Sequence, residues 1–487
     1  MLVFVLVCVV IISIAWSSVK LLHTIWWRPK MIEKQLKKQG IHGYPYRLMH
    51  GNTKEMMKLA METNKSSTRS SMEFPHDILP RINPLIHSLA TTHKKAFVVW
   101  YGTTPRVAIM EPKLIKEILL NKFGEFPKTE INSFTKLFAT GLASYDGHKW
   151  SKHRKIINPA FHFDKLKQML PAFSTCTQEL IEKWEKLVNQ QEGCCELDVS
   201  VEFLNLTGDV ISRAAFGSNF EEGRLIFLLQ KEQGKLFLQS MRLNLNFPLL
   251  RFAFDLLLCS LRNFFYNSNM KELQENQESN AGMTTEDVIE ECKLFYFAGQ
   301  ETTANLLTWS IIALSMHQDW QERAREEVLT IFGKNKPTSD DLNHLKIVNM
   351  ILLEVLRLYP PTSLIRRTTK KTKLGDFYLP AGVQLFIPLH IVHRDPEQWG
   401  EDALEFNPER FAEGIAKASK DQVSYFPFGW GPRICIGQNF AMLEAKLALS
   451  QILQHFSFEL APTYTHAPSA AITLQPQYGA QIILHKL

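Results

Sequence analysis

Hydrophobic side chains recur every three to four residues over most of this chain, which is the spacing of one face of an α-helix. The longest such stretch runs from Thr285 to Met316, and at 1.5 Å per residue it predicts a helix about 48 Å long. Thr284 and Asp287 form the pattern of a capping box at its start. Other helices are predicted at Pro112–Leu120, Lys165–Leu187, Trp320–Phe332 and Leu342–Leu358. A helix as long as the first usually crosses a whole domain.

The hydrophobic spacing falls to two residues in a few short regions, which predicts strands. These regions are Phe97–Tyr101 with Arg106–Met110, Leu374–Leu389, and Ala471–Leu474 with Ala480–His485. Gly102–Pro105 and Pro380–Gly382 supply turns within the first two regions, as expected for hairpins. The predicted fold class is therefore mainly α with small β-sheets.

The N-terminus is apolar and long enough to cross a membrane. Leu2–Val19 is almost unbroken, and extended through Leu22 it matches the thickness of a bilayer core. Trp26 and Trp27 follow as an interfacial pair, and basic residues come next, which by the positive-inside rule lie in the cytosol. A cleaved signal peptide is the alternative, but no basic residue precedes the run and no small-residue cleavage site follows it.

These features predict three parts of the chain. They are a transmembrane signal-anchor at residues 1–25, a basic and Gly/Pro-containing hinge at 26–50, and a body at 51–487. We expect a single-pass protein of the endoplasmic reticulum membrane with its body in the cytosol.

Composition narrows the function classes. The 487 residues are 45% hydrophobic and carry a net charge of +6, without a basic stripe of interleaved aromatic residues, so no nucleic-acid partner is predicted. The mildly basic surface suits an acidic protein or an anionic membrane. The seven cysteines are odd in number and irregularly spaced, which indicates reduced thiols rather than a disulfide framework or a zinc site.

One cysteine has a different context. Cys435 lies in the loop Phe428-Gly429-Trp430-Gly431-Pro432-Arg433-Ile434-Cys435-Ile436-Gly437, which leads into an apolar-periodic helix. At a helix N-terminus the free amides and the dipole favour a thiolate, which is a soft metal ligand. The glycines permit close approach of a flat cofactor, Phe428 can lie against its face, and Arg433 can meet an anionic group. A structural cysteine after a turn is the alternative.

The pattern Phe-x-x-Gly-x-Arg-x-Cys-x-Gly resembles the cofactor loop of cytochrome P-450 haem-thiolate monooxygenases. The resemblance implies haem b (iron protoporphyrin IX) as the cofactor and Cys435 as its axial iron ligand. Phe428, Gly431, Arg433 and Gly437 would contact the haem. It also makes residues 51–487 the haem-thiolate monooxygenase domain.

A second motif, Ala298-Gly299-Gln300-Glu301-Thr302-Thr303, lies inside the long predicted helix. Glycine costs about 1 kcal/mol in a helix relative to alanine, so its absent side chain predicts that something bulky lies against the backbone. In the family this is the oxygen-activation groove. The resemblance implies Gly299 as a haem contact, Thr302 as the alcohol that relays protons and Glu301 as its acid partner.

The remaining family landmarks follow in order. Glu354 and Arg357, with Arg410 of the run Phe406–Phe411, would form a buried structural triad that braces the cofactor loop. Trp150 and Arg154 would face the haem propionates with a basic residue after Pro361. We assign Arg367 as this basic residue, with its neighbour Arg366 as the alternative. His393 is a further candidate for a position near a propionate.

The sequences of Glu290–Thr303 and Phe428–Ala441 are similar to those of a plant clan that includes secologanin synthase. Members of this clan oxidise terpenoids and related lipophilic metabolites. The implied function is oxidation of such a metabolite in plant secondary metabolism. O2 and NADPH-derived electrons would come through a membrane-bound reductase. One region departs from the clan: the segment before the central helix is shorter, and Asn244–Asn267 is rich in Phe and Leu.

The short segment leaves a second hypothesis open, in which the chain is a non-catalytic or impaired membrane-anchored haem-binding protein. A third is a haem-thiolate isomerase or dehydratase that needs no O2, against which Glu301 and Thr302 argue.

Overall fold

A computed structural model describes residues 2–66, 76–120, 124–129, 140–217, 227, 229–230, 232–236, 282–470 and 472–487. The predicted shortened segment at Asn244–Asn267 lies outside these residues. Within them helices dominate, and the strands form small sheets at the margins. The mainly α fold class is therefore confirmed.

The helices follow the predicted pattern closely. In chain order they are α1 Leu2–Leu22, α2 Arg28–Lys37, α3 Thr53–Ser66, α4 Leu79–Ile82, α5 Pro84–Thr92, α6 Pro112–Leu120, α7 Gly147–Ile157, α8 Phe163–Gln190, α9 Val199–Phe216, α10 Thr285–Met316, α11 Gln318–Phe332, α12 Ser339–His344, α13 Ile347–Leu358, α14 Leu389–Val392, α15 Pro396–Trp399 and α16 Gln438–His455. The capping box at the start of α10 is present, with the Asp287 N–H 3.1 Å from the Thr284 hydroxyl that accepts it.

The strands are β1 His42–Gly43, β2 Ala96–Tyr101, β3 Thr104–Ile109, β4 Cys194–Asp198, β5 Leu364–Arg367, β6 Thr372–Leu374, β7 Phe377–Leu379, β8 Gln384–Ile387, β9 Phe456–Leu460, β10 Pro468–Ala470, β11 Leu474–Pro476 and β12 Gln481–Lys486. The five-stranded sheet has the order β1-β2-β3-β8-β5. Its central hairpin, β2 with β3, is antiparallel as predicted and pairs Val98 with Val107.

The largest hydrophobic core lies between α8, α9, α10, α13 and α16, and it contains the fully buried Trp184 and Trp309. The α10 helix is buried along most of its second half, from Thr303 to Ser315. A helix that is apolar on all sides must be surrounded by other elements, as α10 is here. A second core packs against one face of the five-stranded sheet and includes Leu385 and Phe426.

One predicted helix is divided in two. The sequence predicts continuous helix over Leu342–Leu358, whereas α12 ends at His344 and α13 begins at Ile347. The Glu327 carboxylate of α11 accepts the backbone N–H groups of residues 346–348 at 2.7, 2.8 and 3.0 Å. These groups have no partner within a new helix, so a carboxylate from a neighbouring helix stabilises the second start.

The N-terminal helix continues beyond the predicted anchor. The run Val3–Lys37 is the one helix, among the residues described, that is long and apolar enough to cross a membrane. A π-helical turn, His23–Trp27, joins α1 to α2. Ile32 and Leu36 of α2 are buried against the core of the five-stranded sheet, and the Tyr46 hydroxyl donates to the Ile25 carbonyl. The residues predicted as a hinge therefore include a helix that is packed on the body.

Candidate functional site

The loop before α16 presents Cys435 at the helix start. The Cys435 N–H donates to the Phe428 carbonyl at 2.8 Å, which closes the loop, and Gly437 is the N-cap residue of α16. Gly431 has φ +73°, and a Cβ there would lie 2.7 Å from the Leu119 carbonyl oxygen. Glycine is therefore required at Gly431 because both the backbone conformation and the packing exclude a side chain.

The Cys435 thiol is the exposed group that this loop surrounds. Desolvation by the surrounding protein raises its pKa, and the N–H of Gly437 and the positive charge of Arg154 act in the opposite direction. The sequence predicted only the contribution of the helix start, through its free amides and its dipole. Its expectation that the helix start favours a thiolate therefore omitted the larger contribution, desolvation, which a bound cation would offset.

Trp150 and Arg154 of α7 lie beside the same loop. The Arg154 guanidinium donates to the Ile434 carbonyl at 2.7 Å. The Arg433 guanidinium lies 4.4 Å from the Trp150 ring centroid, donates to the Tyr145 carbonyl at 2.8 Å and pairs with Asp146. The structure thus brings Trp150 and Arg154 of α7 into contact with the loop that carries Arg433 and Cys435, although the two segments are far apart in the sequence.

The α7 helix is held in place by carboxylates of α10. The buried His153 ring lies 2.7 Å from Glu291 Oε1, and the other oxygen of Glu291 accepts the Leu142 N–H at 3.0 Å. Because His153 lies between Trp150 and Arg154 in sequence, this contact fixes the turn of α7 that carries them.

Arg366 and Arg367 are placed differently. Arg366 is buried, and burial together with repulsion from Arg433 lowers its pKa to about 10. Arg367 donates from its backbone N–H to Pro127 and from Nε to the Lys128 carbonyl, at 2.9 and 3.0 Å. The charge of Arg366 thus acts directly on the cationic group around Arg433. Arg367 and Arg366 therefore both stay candidates for a propionate contact.

Lys128 is a member of this group that sequence reasoning missed. Desolvation and the charges of Arg366 and Arg433 lower its pKa to about 7, against the opposite effect of Asp146. The Lys128 N–H donates to Asp146 Oδ2 at 2.9 Å. Its sequence surroundings carry no recognisable motif, and the position becomes evident only when the chain is folded.

The motif of the central helix lies at the start of its buried half. Thr302 Oγ1 donates to the Ala298 carbonyl at 2.8 Å, and Glu301 Oε1 accepts from the Thr473 hydroxyl at 2.8 Å. A Cβ on Gly299 would lie 2.9 Å from Ile211 of α9. The glycine thus permits close packing of α9 on α10. The neighbour that the missing side chain admits within the protein is thus Ile211 of α9, and contact of Gly299 with haem stays a prediction.

The predicted triad is assembled and buried. Arg357 donates to both oxygens of Glu354 at 2.7 Å, and Arg410 Nε lies 3.2 Å from Glu354 Oε1. The side chains of Glu354 and Arg357 are fully buried. Arg357 also donates to the carbonyls of His393, Ala403 and Glu405. The triad therefore joins α13 to the segment that follows α14.

His393 links that segment to the cofactor loop. It is fully buried, and its Nε2 accepts the Phe426 N–H at 3.2 Å, two residues before Phe428. Burial, with the charges of Arg394 and Arg357, lowers its pKa well below the usual value, so the ring is neutral. His393 thus contacts the backbone leading into the loop, and half-buried Phe428 packs against the main core.

Comparison with known proteins identifies the family of the chain. The cytochrome P450 family model matches residues 80–266 and 259–483. The chain belongs to the cytochrome P450 family. It is 52% identical over 505 residues to cytochrome P450 CYP72A616 of Paris polyphylla, covering 97% of each chain.

Two further relatives have activities in their names. The 11-oxo-beta-amyrin 30-oxidase of Glycyrrhiza uralensis is 48% identical over 519 residues, covering 100% of this chain and 98% of the relative. Secologanin synthase 2 of Catharanthus roseus is 46% identical over 508 residues, with coverage of 97% and 95%. This P450 is thus a plant-type monooxygenase that uses haem b and NADPH-derived electrons from a reductase.

The residues around Cys435 fit that cofactor. A thiol at a helix start is a suitable iron ligand. The cluster contains the cations of Arg154, Arg366 and Arg433 and the amine of Lys128, with Asp146 as the one carboxylate described beside them. This excess of positive charge suits the two anionic propionates of haem b. Phe428 supplies an apolar surface on the same loop.

Proposed function

We propose that this P450 oxidises a terpenoid-like plant metabolite at a site built around Cys435. The named activities of the amyrin oxidase and the secologanin synthase support the substrate class. The observation that carries the site is the position of Cys435. Its thiol is exposed at the start of α16, in a loop closed by the bond to Phe428 and flanked by Arg154 and Arg433.

The protein groups hold and orient the cofactor. Cys435 would ligate the haem iron, and Trp150, Arg154 and Arg433 would hold the propionates together with Arg367, or Arg366 as the alternative. Phe428, Gly431 and Gly437 would contact the haem ring. When bound, the haem supplies the oxygen chemistry, and the protein supplies position and exclusion of water.

Thr302 and Glu301 of α10 would supply protons for the reaction. The Thr302 hydroxyl would donate a proton at the active site and would be reprotonated by Glu301, which would in turn take up a proton from solvent. One oxygen atom of O2 would be inserted into the metabolite, and the other would leave as water after taking up two NADPH-derived electrons from the reductase and two protons. Glu354, Arg357 and Arg410 do not touch the reacting atoms, since they brace the loop.

We further propose that the protein is anchored in the endoplasmic reticulum membrane with residues 51–487 in the cytosol. The apolar helix within residues 1–25 supports a single-pass anchor, and the basic residues after it support this orientation. A cytosolic body would meet the reductase and a lipophilic substrate at the membrane surface. The α2 helix in the interval 26–50 connects the two parts.

The alternative, an impaired haem-binding protein, receives no support from the comparisons, because the relatives named by activity are an oxidase and a synthase. Its motivation, the short segment around Asn244–Asn267, lies outside the described residues. The proposed function therefore remains catalysis.

The ligand assignment is tested by spectroscopy of the reduced, carbon monoxide-bound protein. The parent should show the red-shifted Soret band of thiolate ligation, and Cys435→His should lose it. Cys292→Ala, which changes a half-buried cysteine on α10, serves as the control and should keep the band. A Cys435→His protein with an unchanged band would refute the assignment.

The substrate class is tested separately. Terpenoid acids and alcohols are screened for substrate-induced spectral shifts, and binders are incubated with NADPH and a reductase. We expect an oxygenated product from at least one terpenoid. Product formation from non-terpenoid lipids alone would refute the substrate class and leave the thiolate assignment intact.

A further inference from the structure

Glu301 is held by a hydrogen-bonded chain that reaches it from the C-terminal part of the protein. Asn305 Nδ2 donates to Thr473 Oγ1 at 3.0 Å, and Thr473 Oγ1 donates to Glu301 Oε1 at 2.8 Å. Thr473 and Asn305 are only 5% and 6% exposed. A hydroxyl has one proton, and here the carboxylate accepts it while the amide occupies an acceptor position. Hydrogen-bond donation therefore runs in one direction, from Asn305 through Thr473 to Glu301.

The position of Thr473 is fixed by its neighbour. Leu474 opens β11, and its N–H donates to the Pro361 carbonyl at 2.9 Å. The Leu474 carbonyl accepts from Trp309 Nε1 at 3.0 Å. The N–H and the carbonyl of Leu474 therefore both form hydrogen bonds, which connect this strand to the segment after α13 and to the Trp309 side chain of α10. The Thr473 hydroxyl needs little reorganisation to meet Glu301, because its backbone is already in place.

The two groups of the proton-relay motif have separate partners in this structure. Thr302 donates within its own helix to Ala298, whereas Glu301 is directed to Thr473. Glu301 and Asn305 are one helical turn apart on α10, so Thr473 contacts the same face of the helix at both points. The strand end thereby determines where the Glu301 carboxylate lies.

We propose that Thr473, oriented by Asn305, is a positioning residue for Glu301 and controls how much of the electron flow ends in product. This inference rests on the proposed function, in which Glu301 supplies protons. Thr473 has no role of its own in the reaction; it holds the carboxylate where a proton can pass to Thr302. Without it, protons arrive at the wrong place or time and reduced oxygen is released as peroxide.

Turnover of the full-length holoenzyme with reductase tests the inference. Thr473→Val removes the hydroxyl at nearly constant volume, and we expect several-fold more peroxide per NADPH, with Thr473→Ser close to the parent. Thr308→Val is the matched control. The Thr308 hydroxyl is buried on α10, the helix of Glu301, but it donates to the Ala304 carbonyl of that helix. Equal peroxide from Thr473→Val and Thr308→Val would overturn the proposal.

A double-mutant cycle separates positioning from a general structural effect. If Thr473 acts through Glu301, Thr473→Val should change peroxide release less than two-fold in a Glu301→Met background. A several-fold change there would overturn the proposal, because Thr473 would then act independently of Glu301.

A second readout needs neither substrate nor reductase. Urea unfolding of the parent, the two single variants and the double variant should show coupling of about ten-fold in the unfolding equilibrium constant, as expected for a hydrogen bond to a charged group. Additive effects would overturn the contact. If the parent forms no product from any terpenoid, the proposed function fails, and this cycle still decides whether Thr473 holds Glu301.

Discussion

Replacement of Arg357 by methionine should destabilise the protein severely. Arg357 uses its five N–H donors on five acceptors: both oxygens of Glu354 and the carbonyls of His393, Ala403 and Glu405. The side chain is fully buried. Methionine fills much of the volume but has no N–H donor. The Glu354 carboxylate and the three carbonyls would therefore each lose a hydrogen-bond donor in a buried place.

The size of the effect follows from what remains around Glu354. Arg410 Nε at 3.2 Å and the Asn407 N–H at 2.9 Å still contact Oε1, whereas Oε2 loses the partner described here. Removal of one member of a buried pair costs about 3–5 kcal/mol because the other charge stays buried. We therefore expect Arg357→Met to lower the free energy of unfolding by about that amount.

The assay is urea unfolding of the full-length holoprotein in detergent, followed by the Soret band of the reduced carbon monoxide complex. Arg323→Met is the control, because Arg323 forms an exposed pair with Glu409 at 3.0 Å and lies over the Trp320 ring. Its loss should be at most about 1 kcal/mol. If Arg357→Met costs no more than Arg323→Met, the reasoning about the buried triad is wrong.

Three further predictions concern proton supply, acid stability and membrane topology. Thr302→Ala should raise peroxide released per NADPH while haem content stays constant; equal coupling in variant and parent would remove Thr302 from the relay. Burial lowers the pKa of His76 and His390 to about 3 and that of His466 to about 4. Between these values and pH 6.5 the unfolded chain therefore binds more protons than the folded protein. The free energy of unfolding should decrease as the pH is lowered through that window, by up to about 1.4 kcal/mol per pH unit for each histidine. His390→Phe should reduce the slope measured by urea unfolding, and an unchanged slope would contradict the assignment. Protease added to intact microsomes should digest the body, whereas full protection would reverse the topology.

Local sequence was sufficient for elements whose signals lie within a few residues. The bounds of α10 agree with the predicted Thr285–Met316 because Thr284 and Asp287 cap its start and the apolar residues persist to its end. The β2–β3 hairpin was predictable because its strands and turn are contiguous. Cys435 and its glycine loop also lie in one short stretch, so this part of the candidate site is predictable from local sequence.

Tertiary contacts decided the features that depend on residues far apart in the chain. The start of α13 is set by Glu327 of another helix, and no residue between His344 and Ile347 signals it. The reason for Gly299 is a side chain of α9, about ninety residues away. Local pattern reports helix propensity, whereas these positions are determined by which surfaces meet.

The site divides in the same way. The sequence determined which chemical groups are available: a thiol before a helix, an acid beside an alcohol, and a Glu/Arg pair one helical turn apart. Only the folded chain determined that Lys128 joins Arg433, and that Thr473 holds Glu301. Charge repulsion and hydrogen bonds act over a few ångströms, so their partners are fixed by packing rather than by distance along the sequence.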